Sequence, residues 1–230
     1  MRLNRVLTIN NIKRDLVDER IALDLSAPGR AEFTIVGDDN AISQNQLVTF
    51  DLGYSSQDAL QRWFIGITEQ IVQTGDKRVK IFCRELSSVL AHTLPLSLRH
   101  VSLRDVLKAI NDITGVNFST PDKDYASRKV ANFYNLGTGY QAMAALDKVF
   151  NIPDFIWQQQ SGVIYVGSWA DSRWASVKNM LLPENLFIEH SAQNSAKVAA
   201  FPSYRPGIRI NGKRINIIEF AGNHMVLKWT

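Results

Sequence analysis

Side chains that commonly perform chemistry are sparse in this sequence and do not fall into reactive patterns. The four histidines are scattered and lack the spacing of paired metal ligands. No Gly-x-Ser-x-Gly elbow, phosphate-binding glycine loop or Cys-x-x-Cys pair occurs. The sequence therefore predicts a protein that is not an enzyme, with no catalytic residues, no metal ligands and no cofactor.

Two further features could mark a reactive site, but in each the surrounding residues argue against it. Asp38-Asp39-Asn40 could begin a calcium loop, but Ser43 stands where the loop requires glycine and Thr49 where it requires glutamate. The single cysteine, Cys83, lies in an alternating apolar run. We therefore expect it to be a small buried hydrophobe and not a reactive thiol.

Charge gives the remaining chemical signal. The 230 residues carry a formal net charge of +4, and the part from Lys197 onward holds six basic residues against one acid, Glu219. A basic strand face could meet nucleic acid or an acidic partner. The alternative is a solvated outer face of a small barrel.

A nucleic-acid-binding barrel is one alternative function, because small barrels with aromatic and basic residues bind single strands. Three aromatic residues could stack bases and four basic residues flank them, namely Trp63, Phe64 and Phe82 with Arg62, Arg78, Lys80 and Arg84. The competing interpretation is that Trp63 and Phe64 pack into the core.

The first 84 residues have the pattern of β-strands. Apolar and polar residues alternate in residues 20–25, 32–35 and 48–52, and a longer apolar stretch, 63–72, precedes a hairpin into residues 78–84. Alternation with a period of two is typical of sheets with one buried face. Five or six short strands of this spacing predict a small barrel or sandwich.

The middle of the chain changes to a helical period. Apolar residues between 103 and 110 fall at positions i, i+3, i+4 and i+7, the stripe of an amphipathic helix. Ser102 is the predicted N-cap, with Asp105 three residues later. Gly115 is predicted to end this helix.

The same layout recurs 36 residues later. Thr138 and Gln141 form a predicted capping box, and Asn151 takes the place of the terminating glycine. Short strands are predicted after both helices, at residues 116–118 and 155–157. These two helix–strand repeats are expected to form one α/β domain whose helices cover one small sheet.

The last section returns to β-structure. Asn211-Gly212 is a strong hairpin signal, and Gly222-Asn223 predicts another turn. The expected fold class is α+β, mainly β, with two small β-barrels flanking an α/β insert made of two helix–strand repeats. The expected domains are a first barrel at 1–92, the insert at 93–175 and a second barrel at 176–230.

Five short runs occur in order along the chain, namely Val48–Tyr54, Trp63–Thr68, Val79–Arg84, Ser102–Phe118 and Arg205-Pro206-Gly207. These runs resemble the baseplate hub proteins of phage-type tails, a family that includes late control protein D, the tail proteins of Mu-like prophages and the hub part of type VI secretion spikes. The resemblance covers nearly the whole chain in order.

The resemblance implies a homotrimer in which each subunit contributes two barrels, so that six barrels match the sixfold tail tube. It implies a ring around a channel for the tape-measure protein and DNA. The expected partners are the tail tube or distal tail protein, the tape-measure protein, and a tip or spike protein attached as a separate chain, with DNA only in transit and no membrane anchoring. The tail type, contractile or flexible, stays open.

The expected location is the baseplate of the virion tail, and the host cytoplasm during assembly, since no signal peptide is visible. The basic residues expected to contact neighbouring subunits or channel contents are Arg78, Lys80, Arg84, Arg205, Arg209, Lys213 and Arg214. A second alternative is a secretin-like ring of a secretion system, because Ser102–Phe118 also resembles the small helix–strand domains of secretins.

Overall fold

A computed structural model describes residues 2–37, 42–55, 59–75, 77–192 and 194–229. The strands are β1 (Leu3–Ile9), β2 (Ile12–Arg14), β3 (Leu16–Asp24), β4 (Arg30–Val36), β5 (Leu47–Tyr54), β6 (Gln61–Gly75), β7 (Arg78–Glu85), β8 (Leu96–Val101), β9 (Asn117–Ser119), β10 (Val130–Asn135), β11 (Phe155–Gln160), β12 (Val163–Ser168), β13 (Phe187–Ala192), β14 (Ser195–Ala199), β15 (Arg209–Ile210), β16 (Lys213–Ala221) and β17 (His224–Trp229). The α-helices are α1 (Leu103–Thr114), α2 (Asp124–Ser127), α3 (Gly139–Phe150) and α4 (Arg173–Ser176). Among the described residues, short 3-10 helices lie at Leu86–Ala91, Trp169–Asp171 and Glu184–Leu186.

The chain divides into two compact units. Unit 1 joins Met1–Glu85 to Lys178–Thr230, and unit 2 is Leu86–Val177. The predicted mainly-β class is confirmed. The division into domains at 1–92, 93–175 and 176–230 stays a prediction.

Unit 1 is built on one twelve-stranded sheet. Its strand order is β13-β14-β17-β16-β3-β4-β7-β6-β5-β1-β2, with β15 paired to β16. All of its pairs are antiparallel. The two β segments of the chain therefore meet at one seam, where β16 pairs with β3.

This sheet curls back on itself at its amino-terminal end. Strand β2 pairs with β1, and only Asp15 separates β2 from β3. The paired strands β1-β5-β6-β7-β4-β3 are therefore closed into a loop by β2, which pairs with β1 and leads directly into β3. The expected pair of separate barrels stays a prediction.

An aromatic cluster lies on the inner face of the sheet in unit 1. The ring centroids of Phe33 and Phe50 are 5.6 Å apart, and those of Phe50 and Phe220 are 5.8 Å apart. Trp63 lies 5.4 Å from Phe220. Because Phe220 belongs to the carboxy-terminal segment, residues from both β segments share one core.

The local turn signals of the sequence are confirmed where the structure describes them. Asn211 and Gly212 both have positive φ, at 49° and 79°, and join β15 to β16 as a two-residue hairpin. Gly222 has φ of 58° in the turn between β16 and β17. Asp76, in the predicted turn before β7, lies outside the described residues.

Both predicted helix caps of unit 2 are confirmed. Ser102 and Asp105 form a capping box at α1, and Thr138 and Gln141 form one at α3. Gly115 ends α1 with φ of 73°, and Asn151 ends α3 with φ of 53°. These signals were readable because caps depend on residues only three or four apart in sequence.

The expected single sheet of unit 2 was wrong. Its strands form two separate sheets, an antiparallel pair of β8 with β10 and a three-stranded sheet in the order β11-β12-β9. Neither β8 nor β10 was predicted. Both strands have irregular exposure along their length, so they lack the clear alternation that marks a half-buried strand.

Candidate assembly surface

The basic residues of β7 lie on the outer face of the sheet. Arg78 and Arg84 are exposed and Lys80 is half-buried, while Val79, Ile81 and Cys83 point inward. Cys83 is one of the inward residues, with 2% of its surface exposed. Burial raises the pKa of the Cys83 thiol, so the predicted small buried hydrophobe is confirmed.

Two of these basic residues form ion pairs with neighbouring strands. Lys80 Nζ lies 2.8 Å from Glu32 Oε1 on β4, and Arg84 Nε lies 3.0 Å from Glu69 Oε2 on β6. All four side chains are about a third to a half exposed. Such exposed pairs add less than about 1 kcal/mol each to stability, so these charges remain available to a partner.

The hairpin of β15 and β16 presents three basic residues close together. Arg209 pairs directly with Arg214 across the hairpin, and Ile210 pairs with Lys213. Lys213 Nζ lies 4.2 Å from the ring centroid of Trp229, a cation–π contact. Since β15 pairs only with β16 among the described strands, this basic hairpin does not pair with β7.

Arg205 differs from the other basic residues because it packs within unit 1. Its guanidinium carbon lies 4.9 Å from the ring centroid of Trp63, and its Nη2 donates to the carbonyl oxygen of Arg62 at 2.7 Å. The positive charge of Arg205 also lowers the pKa of the buried carboxyl group of Glu85. Arg205 therefore joins the carboxy-terminal segment to strand β6.

Glu85 is a buried acid at the end of β7. The backbone N–H of Gly29 donates to Glu85 Oε2 at 2.6 Å, and the backbone N–H of Glu85 donates to the carbonyl oxygen of Gly29 at 3.0 Å. Burial raises the pKa of Glu85 to about 7, and the Gly29 hydrogen bond and Arg205 oppose this rise. These contacts give Glu85 a structural role.

A second buried acid lies where the sheet closes on itself. Glu19 on β3 is 1% exposed and accepts a hydrogen bond from Arg5 Nη1 on β1 at 2.7 Å. Burial raises the pKa of Glu19, although the Arg5 guanidinium acts in the opposite direction. This pair links β1 to β3 across the closure.

The aromatic residues proposed to stack nucleic-acid bases are mostly unavailable. Trp63 is 2% exposed and Phe64 is 1% exposed, and both belong to the core of unit 1. Only Phe82 lies on the outer face, where it is half-buried. Stacking on exposed rings, the basis of single-strand binding, is therefore limited to one ring of the three.

The two ends of the large sheet are unpaired edges. Among the described strands, β2 pairs only with β1 and β13 pairs only with β14. Apolar side chains are exposed beside both edges, with Ile12 on β2, and Leu186 and Ile188 beside and on β13. Exposed edges with apolar side chains readily pair with another chain. Sequence reasoning missed these edges because strand order is not readable from local pattern.

Within the described ranges, no group of three or more His, Cys, Asp or Glu side chains is placed to hold a metal ion. The start of the rejected calcium loop, residues 38–40, lies outside those ranges. No helix in the described part of the chain is long and apolar enough to cross a membrane.

Comparison with known sequences gives a relative from a bacteriophage. The chain is 32% identical over 228 residues to an uncharacterised 58.7 kDa protein in the lys 3′ region of Haemophilus phage HP1. The match covers 99% of this chain but only 42% of the phage protein. No protein-family model matches the chain.

Comparison with solved structures gives similar folds over the whole chain. The 43 kDa tail protein of prophage MuSo2 from Shewanella oneidensis matches with a TM-score of 0.73 and 11% identity, over 100% of this chain and 98% of that one. A tail protein from Neisseria meningitidis matches with a TM-score of 0.70 and 10% identity, over 100% and 96%. This chain has the tail-hub fold.

The tail-hub fold is also found in secretion machinery. An E. coli component of the type VI secretion system, described as structurally similar to the T4 tail proteins gp27 and gp5, matches with a TM-score of 0.66 and 10% identity. That match covers 97% of this chain and 77% of the other. The resemblance to the tail-hub family, first seen in short sequence runs, is thus confirmed at the level of the fold.

Proposed function

We propose that this chain is a structural, non-enzymatic component of a phage or prophage tail, the hub that joins the tail tube to the tip. The observation that supports this most strongly is the tail-hub fold, which matches two tail proteins over the whole chain. The phage relative at 32% identity supports the same assignment. In this proposal the protein acts by assembling in the baseplate of the virion tail.

The proposed hub is a homotrimeric ring that surrounds a channel for the tape-measure protein and DNA. The open edges of β2 and β13 support this, because a ring of identical subunits needs two different surfaces that meet head to tail. In the proposed contact, the edge of β13, with Leu186 and Ile188 exposed beside it, meets the next subunit.

The basic residues supply the remaining proposed contacts. Exposed Arg78, Arg209 and Lys213 face outward from unit 1 and can meet acidic groups on a neighbouring subunit, the tube protein or the tip protein. Arg205, which packs against Trp63, contributes to the fold of the subunit instead.

The proposed ring can be tested by the mass of the purified protein in light scattering over a concentration series. A trimer has three times the subunit mass of 25.9 kDa. Ile188→Lys places a charge at the proposed interface and should shift the species toward the monomer, since lysine on an edge strand opposes strand pairing.

The matched control is Ile113→Lys, which adds the same charge at an exposed isoleucine of unit 2 and should leave the mass unchanged. A monomer at every concentration, or equal masses for the two variants, would contradict the proposed edge-to-edge ring.

A further inference from the structure

The outer face of unit 1 carries an open groove that crosses the seam between the two β segments. We call it the seam groove and define it by six of its residues, Arg20, Ala22, Arg30, Phe82, Glu219 and Ala221. Its volume is about 720 Å³. The groove lies entirely within unit 1, so its properties do not depend on the ring proposed above.

Small side chains on the two seam strands form the floor of the groove. Ala22 on β3 lies opposite Arg30 on one side and Glu219 on the other. Ala221 on β16 lies opposite Arg20. Because alanine side chains are short, longer side chains on both flanks stand above the seam and leave a depression between them.

The seam groove has an excess of positive charge. Each of its three carboxylates already has a basic partner, since Glu32 pairs with Lys80, Glu69 with Arg84 and Glu219 with Lys228. Arg20 and Arg30 are exposed and have no ion pair among the described residues. Two arginines are therefore left to meet an anionic group.

A pair of like charges lies at one end of the groove. Arg30 on β4 lies directly opposite Arg84 on β7. Like charges at opposed positions of a sheet are destabilising. Glu69 already offsets the charge of Arg84, so a carboxylate from a partner would form its charge-assisted hydrogen bonds with Arg30.

We propose that the seam groove binds an extended, acidic peptide segment of another protein. Between Lys197 on β14 and Arg84 on β7 the groove crosses six strands, and Glu69 lines it from the next strand, β6. Five strand spacings of about 4.8 Å give a length of about 24 Å, which about seven extended residues span. Carboxylates of the peptide meet Arg20 and Arg30, and an apolar side chain rests on the alanine floor beside Phe82.

The carboxylates of the groove favour a peptide over nucleic acid. A nucleic-acid backbone carries closely spaced phosphates, about one charge per 1.7 Å of duplex axis. Glu32, Glu69 and Glu219 would repel such a continuous row of charges. A peptide can place its few carboxylates near the arginines and avoid the three glutamates.

Selection from a random heptapeptide display library on the immobilised full-length protein tests this proposal. Enriched peptides should carry at least two acidic residues and one apolar residue. Their affinities, measured by fluorescence anisotropy with fluorescein-labelled copies, should weaken about tenfold in the double variant Arg20→Gln/Arg30→Gln, which removes two ion pairs. Binding should also weaken as salt is raised.

The matched control is Arg99→Gln/Lys129→Gln, which removes two exposed charges from unit 2 and should change the affinities by less than about twofold. Thermal unfolding of both double variants shows whether each is folded. No acidic enrichment, or equal loss of affinity in the two variants, overturns the proposal. Tighter binding of a labelled 20-nucleotide oligo-dT, lost in Arg20→Gln/Arg30→Gln, would instead identify a nucleic-acid surface.

Discussion

At the scale of single residues, Glu85 makes the stability of this protein depend on pH. Burial raises its pKa from 4.5 to about 7, while an unfolded chain restores the ordinary value. Between these two pH values the folded state holds a proton that the unfolded state has released. The contribution of Glu85 to the free energy of unfolding should therefore fall as the pH rises from about 4.5 to about 7, and be level above that.

Replacing Glu85 by glutamine removes this titration and keeps an oxygen that can accept the Gly29 N–H. From pH 5 to pH 8, the wild-type protein should lose about 3 kcal/mol of unfolding free energy relative to Glu85→Gln. Urea unfolding of both proteins at the two pH values measures this loss. Comparing the two proteins cancels the contributions of other groups, such as Glu19. Glu184→Gln, at an exposed acid, is the control and should run parallel to the wild type. Parallel curves for Glu85→Gln would show that Glu85 does not titrate in this range.

The roles of single residues were only partly predictable from the sequence. The positive charge of Arg205 was evident, but its contact with Trp63 joins positions 142 apart in the chain and depends on the tertiary fold. Arg20 and Arg30 were not singled out, because the groove that they line forms only when β16 pairs with β3. Cys83 was predicted correctly, since burial of a residue in an alternating strand is a local property.

At the scale of secondary-structure elements, Gly66 marks a close approach between β6 and β7. A Cβ added at Gly66 would lie 2.0 Å from the carbonyl oxygen of Arg84. Because that oxygen belongs to a paired backbone, it cannot move without disturbing the sheet. This gives a physical reason for the glycine in the run Trp63–Thr68, which resembles the tail-hub family.

Gly66→Ala should therefore destabilise the protein by more than about 2 kcal/mol, the range of severe backbone and packing defects. Gly53→Ala is the matched control from a second resembling run, because an added Cβ there first meets the flexible end of the Leu60 side chain at 3.0 Å. Chemical denaturation of both variants measures the two losses. A loss for Gly66→Ala no greater than that for Gly53→Ala would contradict the close backbone approach.

The elements that the sequence predicted are those defined by local signals. The capping residues of α1 and α3 and the Asn211-Gly212 hairpin lie within a few residues of the features they determine. The pairing of β8 with β10 joins segments about thirty residues apart and was missed. The pairing of β16 with β3 joins the two ends of the chain, so no local pattern could have indicated it.

At the scale of the whole molecule, the continuous sheet of unit 1 bears on how a hub could assemble. Strands from both β segments share one sheet and one aromatic cluster, so the proposed interfaces on β2 and β13 belong to a single packed body. The chain covers only 42% of its phage relative. The partners of the hub are therefore proposals. In the proposed function, three copies of this chain form the hub on a tail tube.

The proposed trimeric hub is tested by native mass spectrometry of the chain co-purified with the tail-tube protein encoded by the same genome. The mass should correspond to three copies of the 25.9 kDa chain bound to a tube ring. Recovery of a complex with a single copy, or of no complex when the tube protein is folded and abundant, would contradict the assignment as a trimeric tail hub.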